Sequence, residues 1–330
     1  MKIQYYFNTK EVILRNHLVP QFYLRYFLSN QGQINYFDTV HHVFGHKPLI
    51  GIAQLSNTYS DELEKKFSKY ESGFSKTYEK IVDKLLKTNP TNYKMPILSL
   101  EDYDYFQEYI FVQMYRTING RINLRRLMGH IKKDYPLSLD NLRIEAEKAD
   151  EILLNMPFKD IYIKATDKSK PVMTFFRTFK NENLFWTSSN PAVLINIFSL
   201  HNPTHDIESD NTDFNSIYFP ITPHLAVLLI PPELKGHCPT IDTFIDFNNR
   251  MIPLDKYESE ESVKKMIRGM NWSLMAYMDL LDTYTKKKTT ENISDRDIRN
   301  YHFYLISKRF SETEKNYLEK GLGKIEKRSS

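Results

Sequence analysis

Asn16–Phe27 reads N-H-L-V-P-Q-F-Y-L-R-Y-F. A helix-starting proline and two polar residues stand here in an otherwise apolar run, so the segment must bury one side and find partners for the rest. Pro20 suits the first turn of a helix, since its missing N–H would be unpaired there and its φ is already helical. His17 then falls just before the helix. Gln21 and Arg25, four apart, share one face, while Phe22, Tyr23, Leu24, Tyr26, Phe27 and Leu28 cover the others.

Outward from this segment, residues 18–156 read mostly helical, with Gln33–Phe37 as a short strand. The clearest helix begins at Ser60, an N-cap followed by Asp61 and Glu62 at the positive end of the dipole. Leu63, Phe67, Tyr70, Phe74, Tyr78, Ile81 and Leu85 keep helical spacing along it. A second helix is predicted from Ser99 to about Ile118, and a third from Ser138 to Leu154. From about Asp160 to Pro232 the pattern changes to short β-branched and aromatic runs: Ile161-Tyr-Ile-Lys, Val172–Phe179, Leu184-Phe-Trp-Thr, Val193–Phe198, Ile217-Tyr-Phe and Leu225–Ile230. His201–Asn215 is a polar loop suited to closing over a site. From about Glu258 the chain turns helical again, with Val263, Met266, Ile267, Met270, Leu274, Tyr277 and Met278 in register. The last 15 residues read as a solvated end. The expected class is α+β: a mostly helical N-terminal part, a mixed or antiparallel sheet of short strands in the middle, and a helical C-terminal part.

With 330 residues the chain can bury roughly three quarters of its unfolded surface. Its 22 Tyr, 21 Phe and only 10 Gly argue for a packed core rather than disorder. A net charge of +4 allows a nucleic-acid partner without requiring one. The single cysteine, Cys238, rules out an intrachain disulfide framework and fits a reducing cytoplasm. No secretory signal opens the chain, and the longest apolar runs are strand length, short of the roughly 20 residues of a spanning helix. No membrane association is expected.

The polar residues on apolar faces carry the chemistry. Tyr109, Val112, Gln113 and Arg116 fall on one stripe of the second helix, and Glu71 flanks the packed face of the first. A Glu and an Arg directed into packing cost several kcal/mol unless paired. One reading is therefore a buried Glu71–Arg116 ion pair with Gln113 completing its hydrogen bonds. The other adds His17 and makes His17, Glu71, Gln113 and Arg116 a catalytic cluster, with His as acid/base and Arg on a phosphate. Gln21, Arg25, Ser188 and Asn190 would then hold the substrate. The free N–H groups of the first turn after Pro20 would favour an anion near His17.

Metal sites are not expected. H-H-V-F-G-H at His41, His42 and His46 has ligand spacing only on a helix, which Gly45 and Pro48 oppose, and the cluster contains no acid. His201, His205 and Asp206 in the polar loop are a weaker set. No Gly-rich phosphate loop, H-E-x-x-H, G-x-S-x-G or kinase set is present. No cofactor is implied.

The opening segment, followed in order by Tyr70-Glu-Ser72, Gln113-Met-Tyr-Arg-Thr117, Thr187-Ser-Ser-Asn-Pro191, Phe219-Pro-Ile-Thr-Pro223 and Phe247-Asn-Asn249, resembles a group of bacterial proteins. That group is catalogued as domain-of-unknown-function family 4238. The resemblance spans roughly residues 16–270 and implies one α+β unit for the whole chain, 1–330, with residues 271–330 as C-terminal helices and tail. The family's strand-end motif is T-S-D-N-P, and here Ser189 stands in place of the Asp. Either that position forms a turn, which Ser can also do, or the chemistry of this chain is altered. Two classes of function follow. One is a metal-independent enzyme acting on a phosphate-containing or nucleic-acid substrate, nuclease-like, in a defence or toxin context associated with such families. The other is a non-enzymatic sensor or adaptor that binds a partner protein, its polar cluster purely structural.

Overall fold

A computed structural model describes residues 15–39, 42–52, 54–56, 59–88, 95–130, 139–166, 168–180, 184–200, 216–257, 261, 263–271, 273–274, 304–316 and 318–319. The chain enters through strand β1 (Arg15–His17), the one-turn helix α1 (Gln21–Leu24) and a 3-10 turn at Arg25–Phe27. Strands β2 (Ile34–Asp38), β3 (Val43–Lys47) and β4 (Gln54–Ser56) follow, β3 ruling out a helix through His42 and His46. The long helix α2 (Asp61–Lys87) starts where the sequence places it: Ser60 Oγ accepts the Leu63 N–H at 3.3 Å. Leu63, Phe67, Phe74, Tyr78, Ile81, Val82 and Leu85 are its buried stripe.

Helix α3 (Leu100–Arg116) is capped by Ser99 on the Asp102 N–H at 3.1 Å. Its second half is buried nearly all round, which makes it the central helix. It stops at Arg116 because Thr117 is extended, and a separate helix, α4 (Ile118–Leu127), begins there. Helices α5 (Leu139–Asn155) and α6 (Phe158–Thr166) complete this layer. Lys66 of α2 reaches across to α5, donating to the free carbonyls of Leu153, Leu154 and Met156 and so capping its C-terminus. Helix α6 corrects the strand expected at Ile161–Lys164. Pro157 starts it, and Phe158, Ile161 and Tyr162 are buried while Ile163 is exposed, a spacing that only a helix gives. The β-branched run concealed a helical period.

Strands β5 (Val172–Arg177), β6 (Thr187–Ser188), β7 (Val193–Ile195), β8 (Ser216–Thr222) and β9 (Leu225–Ile230) occupy the middle of the chain. The expected runs at Leu184–Thr187 and Val193–Phe198 are strand only in part, and the second turns into a 3-10 helix at Ile197–Leu200. Helix α7 (Pro239–Asp246), strand β10 (Met251–Pro253) and helix α8 (Leu254–Tyr257) follow. The helical stripe predicted after Glu258 is present in residues 263–271, where Val263, Met266, Ile267 and Met270 are buried. Tyr277, Met278 and the loop His201–Asn215 lie outside the described residues. Strand β11 (Tyr304–Ser307) lies in the part read as C-terminal helices and tail.

Five strands in the order β10-β5-β9-β8-β7 form a mixed sheet, parallel only at β10–β5. Its strands are buried on both faces, with Phe175 against Phe106 of α3 and Phe176 against Phe244 of α7. A second, antiparallel sheet, β3-β2-β11-β6, joins N-terminal, middle and C-terminal segments, and β1 pairs with β4 separately. The fold is α+β.

Candidate functional site

Thr117 organises the site because it ends one helix and begins the next. Its side-chain oxygen accepts the Gly120 N–H at 3.1 Å, capping α4, and faces Asn190 Oδ1 at 3.0 Å. The strand-end turn is thereby tied to the end of α3. One and two turns back along the same face lie Gln113 and Tyr109, both fully buried. Tyr109 stacks on Phe74 of α2 with ring centroids 3.7 Å apart, and Phe22 of α1 lies 5.9 Å away, so this face looks into the junction of α1, α2, α3 and the large sheet.

Arg116, beside that face, is 1% exposed and enclosed by its own partners. Its Nη1 is in direct contact with Glu71 Oε1, its Nη2 lies 3.9 Å from Glu64, and its Nε donates to Tyr59 OH at 3.1 Å. The guanidinium also lies 5.6 Å from the Phe67 ring. On the other side of Tyr59, the buried Arg121 pairs with Asp150 at 2.6 Å, and Asp150 Oδ2 accepts the N–H of Ser60. Burial pushes the Tyr59 hydroxyl pKa up, with the Arg116 charge opposing it, so the phenol is neutral between the two cations. The expected Glu71–Arg116 pair is present. Gln113 does not complete it, because neither atom of its amide has a hydrogen-bond partner among the described residues. Tyr59, Arg121 and Asp150 had no local signal, their pairing being long-range.

In the strand-end turn, Thr187 Oγ1 meets Tyr23 OH at 2.6 Å, and that phenol donates to the Pro220 carbonyl at 2.7 Å. Ser188 Oγ accepts the Asn190 N–H at 3.0 Å and donates back to the Asn190 carbonyl at 2.7 Å. Ser189 accepts the Tyr304 N–H at 3.1 Å through its hydroxyl. Its backbone N–H bonds the Tyr304 carbonyl, locking the turn to β11. Ser188 and Ser189 therefore have intramolecular partners. Asn190 is different. One end of its fully buried amide meets Thr117, and Nδ2 has no partner among the described residues.

The other motifs are structural. Tyr78 OH donates to the Ile221 carbonyl in Phe219–Pro223. Asn249, at φ 53°, places its side chain on the Leu98 backbone, accepting its N–H at 2.9 Å and donating to its carbonyl at 2.8 Å. Asn248 Oδ1 accepts from Tyr103 OH at 2.8 Å. Asn249→Ala should then lower stability by about 2–3 kcal/mol, since it removes two partly buried hydrogen bonds and leaves a left-handed backbone without the residue that tolerates it. Chemical denaturation reads this, and an unchanged midpoint would show the clamp to be idle.

Among the described residues, the buried polar atoms without a hydrogen-bond partner include the Gln113 amide, Asn190 Nδ2 and the hydroxyls of Tyr109 and Tyr218. Burial holds both phenols neutral. Gln21 is half-buried and Arg25 exposed, one turn apart, the Arg25 N–H bonding the Gln21 carbonyl. The α1 turn is one turn long, and its Tyr23 and Leu24 N–H groups bond the Pro20 carbonyl. His17 is the last residue of β1, opposite Gln54; its side chain lies outside the described residues, as do His41, His201, His205 and Asp206. Among the described residues, no group of three His, Cys, Asp or Glu is placed to hold a metal. No described helix is long and apolar enough to cross a membrane.

Residues 15–252 match the model of a family described as protein of unknown function (DUF4238). The chain belongs to this family. No curated protein and no solved structure matches it.

Proposed function

We propose that the protein binds a nucleotide or nucleic-acid ligand at the seam where α3 meets the strand-end turn, and acts on it as a metal-independent, nuclease-like hydrolase. The observation that carries this reading is Gln113: 0% exposed, with neither end of its amide bonded among the described residues. A buried amide without partners costs on the order of 1–3 kcal/mol, and a fold tolerates that where another molecule supplies the partners. Arg116 is not the phosphate contact, because Glu71, Glu64 and Tyr59 enclose it. That role passes to Arg25, exposed one turn beyond Gln21. His17 stands as acid/base candidate on the strand that leads into α1.

Gln113→Leu tests the reading by its sign. Removing an unpaired buried amide for an apolar group of similar size should raise the unfolding free energy by about 1–2 kcal/mol while abolishing ligand binding. A lower melting temperature in that variant would show that Gln113 serves the fold. Turnover of a short RNA or DNA strand in chelator, lost in His17→Gln at unchanged melting temperature, is the matching test of hydrolysis. The alternative, a sensor or adaptor for a partner protein, is favoured by the enclosure of Arg116. It predicts tight ligand or partner binding with no turnover in any variant.

A further inference from the structure

We infer that the group received at Gln113 is a neutral, planar edge carrying a hydrogen-bond donor and acceptor side by side, as in a nucleobase or a carboxamide, and not a phosphate. This rests on the ligand site proposed above and specifies which part of the ligand enters it. Gln113 offers one acceptor oxygen and one donor NH2 on a flat group, both fully buried and unpaired among the described residues. Such an amide is satisfied by the complementary pair on another flat group, the geometry by which Gln and Asn read adenine edges. Across Thr117, Asn190 adds a second amide with one end free. Whichever way that amide is turned, one end meets Thr117 and the other has no partner among the described residues.

The charges point the same way. The buried Arg116, three residues further along α3, is matched by Glu71 and has Glu64 at 3.9 Å, so its positive charge already faces two carboxylates. Tyr109, on the same face as Gln113, is neutral. A phosphate brought here would lose its hydration and, of the buried cations Arg116 and Arg121, meet only ones already paired with carboxylates. A base or carboxamide loses little and completes the amide. Because Gln113 is fully buried, entry requires the seam to open, and association should be slower than the ordinary 10⁵–10⁷ M⁻¹s⁻¹ range.

Calorimetry on the full chain with adenosine, uridine and nicotinamide tests this against 3-methyluridine, nicotinic acid, inorganic phosphate and pyrophosphate. The methylated base lacks the edge donor, and nicotinic acid replaces the amide by a charged group. Binding of at least one neutral probe is expected, weakened at least about tenfold by methylation or by the acid, and about tenfold or more by Gln113→Leu. Uridine preferred over 3-methyluridine identifies a base as the source; nicotinamide alone identifies a carboxamide. Gln113-dependent binding of phosphate or pyrophosphate without the neutral probes would overturn this inference and leave the ligand site standing. Neutral-probe binding untouched by Gln113→Leu also overturns it. No binding of any probe, with Gln113→Leu less stable than the parent, would remove both.

Discussion

Arg116→Met is expected to lower the unfolding free energy by about 3–5 kcal/mol, and adding Glu71→Leu to restore much of it. The asymmetry comes from where the two charges sit. Arg116 is 1% exposed, whereas the side chains of Glu71 and Glu64 are 21% and 34% exposed. Removing the cation takes from the partly buried Glu71 the guanidinium that neutralises it, and it also takes the donor from the Tyr59 hydroxyl and the charge beside the Phe67 ring. Met keeps the apolar length, so the loss reports electrostatics and hydrogen bonding more than a cavity. Replacing Glu71 by Leu removes the carboxylate that Arg116 had neutralised, which is why the double variant recovers. Urea denaturation of the parent, Arg116→Met, Glu71→Leu and the double variant gives the coupling. An Arg116→Met midpoint equal to the parent's would mean that the pair contributes nothing, and would return Arg116 to the list of ligand contacts.

The parts of this molecule that could be read from its sequence are those whose cause is local. Ser60 and Ser99 are legible as caps because each is followed by acids and a helical apolar stripe, and both side chains accept the N–H three residues on. Glu71 and Arg116 could be paired in advance because each is a charge on an otherwise apolar helical face. Helix α6 was hidden because Ile161, Tyr162 and Ile163 suit a strand locally, and only burial of Phe158, Ile161 and Tyr162 decides the period. Strand β11 has four residues and is fixed by β2 and β6 on either side, partners more than a hundred residues away.

The same distinction separates the structural from the functional residues of the site. Tyr59, Arg121 and Asp150 are joined by long-range contacts that no spacing announces. Gln113 was legible as a polar residue on a buried face, and its expected partner was Arg116. The structure instead surrounds Arg116 with two carboxylates and a phenol, and the amide meets none of them. Ser189 shows the reverse: a position that invites a catalytic reading holds β11 to the turn.

Gly120→Ala should destabilise the protein by about 3 kcal/mol, although the same exchange in an ordinary helix interior stabilises by up to about 1 kcal/mol. The opposite sign follows from the close turn between α3 and α4. A Cβ at Gly120 would run into the backbone carbonyl of Met114, with Thr117 Oγ1 at 3.2 Å beside it. The obstacle is main chain in the last turn of the central helix, so relief requires moving Met114 or breaking the cap that Thr117 Oγ1 forms on the Gly120 N–H. Thr117 is also the contact to Asn190, and Gln113 lies one turn earlier. The strain therefore passes directly into the proposed ligand seam, and binding should weaken together with stability. Gly51→Ala, at an exposed glycine whose Cβ would meet nothing within 4 Å, is the control and should stay within about 0.5 kcal/mol of the parent. Denaturant midpoints for the two variants measure the difference. A Gly120→Ala protein as stable as Gly51→Ala would show that the α3–α4 junction opens without cost, and that Thr117 does not fix Asn190 and Gln113 in the arrangement on which the proposed site depends.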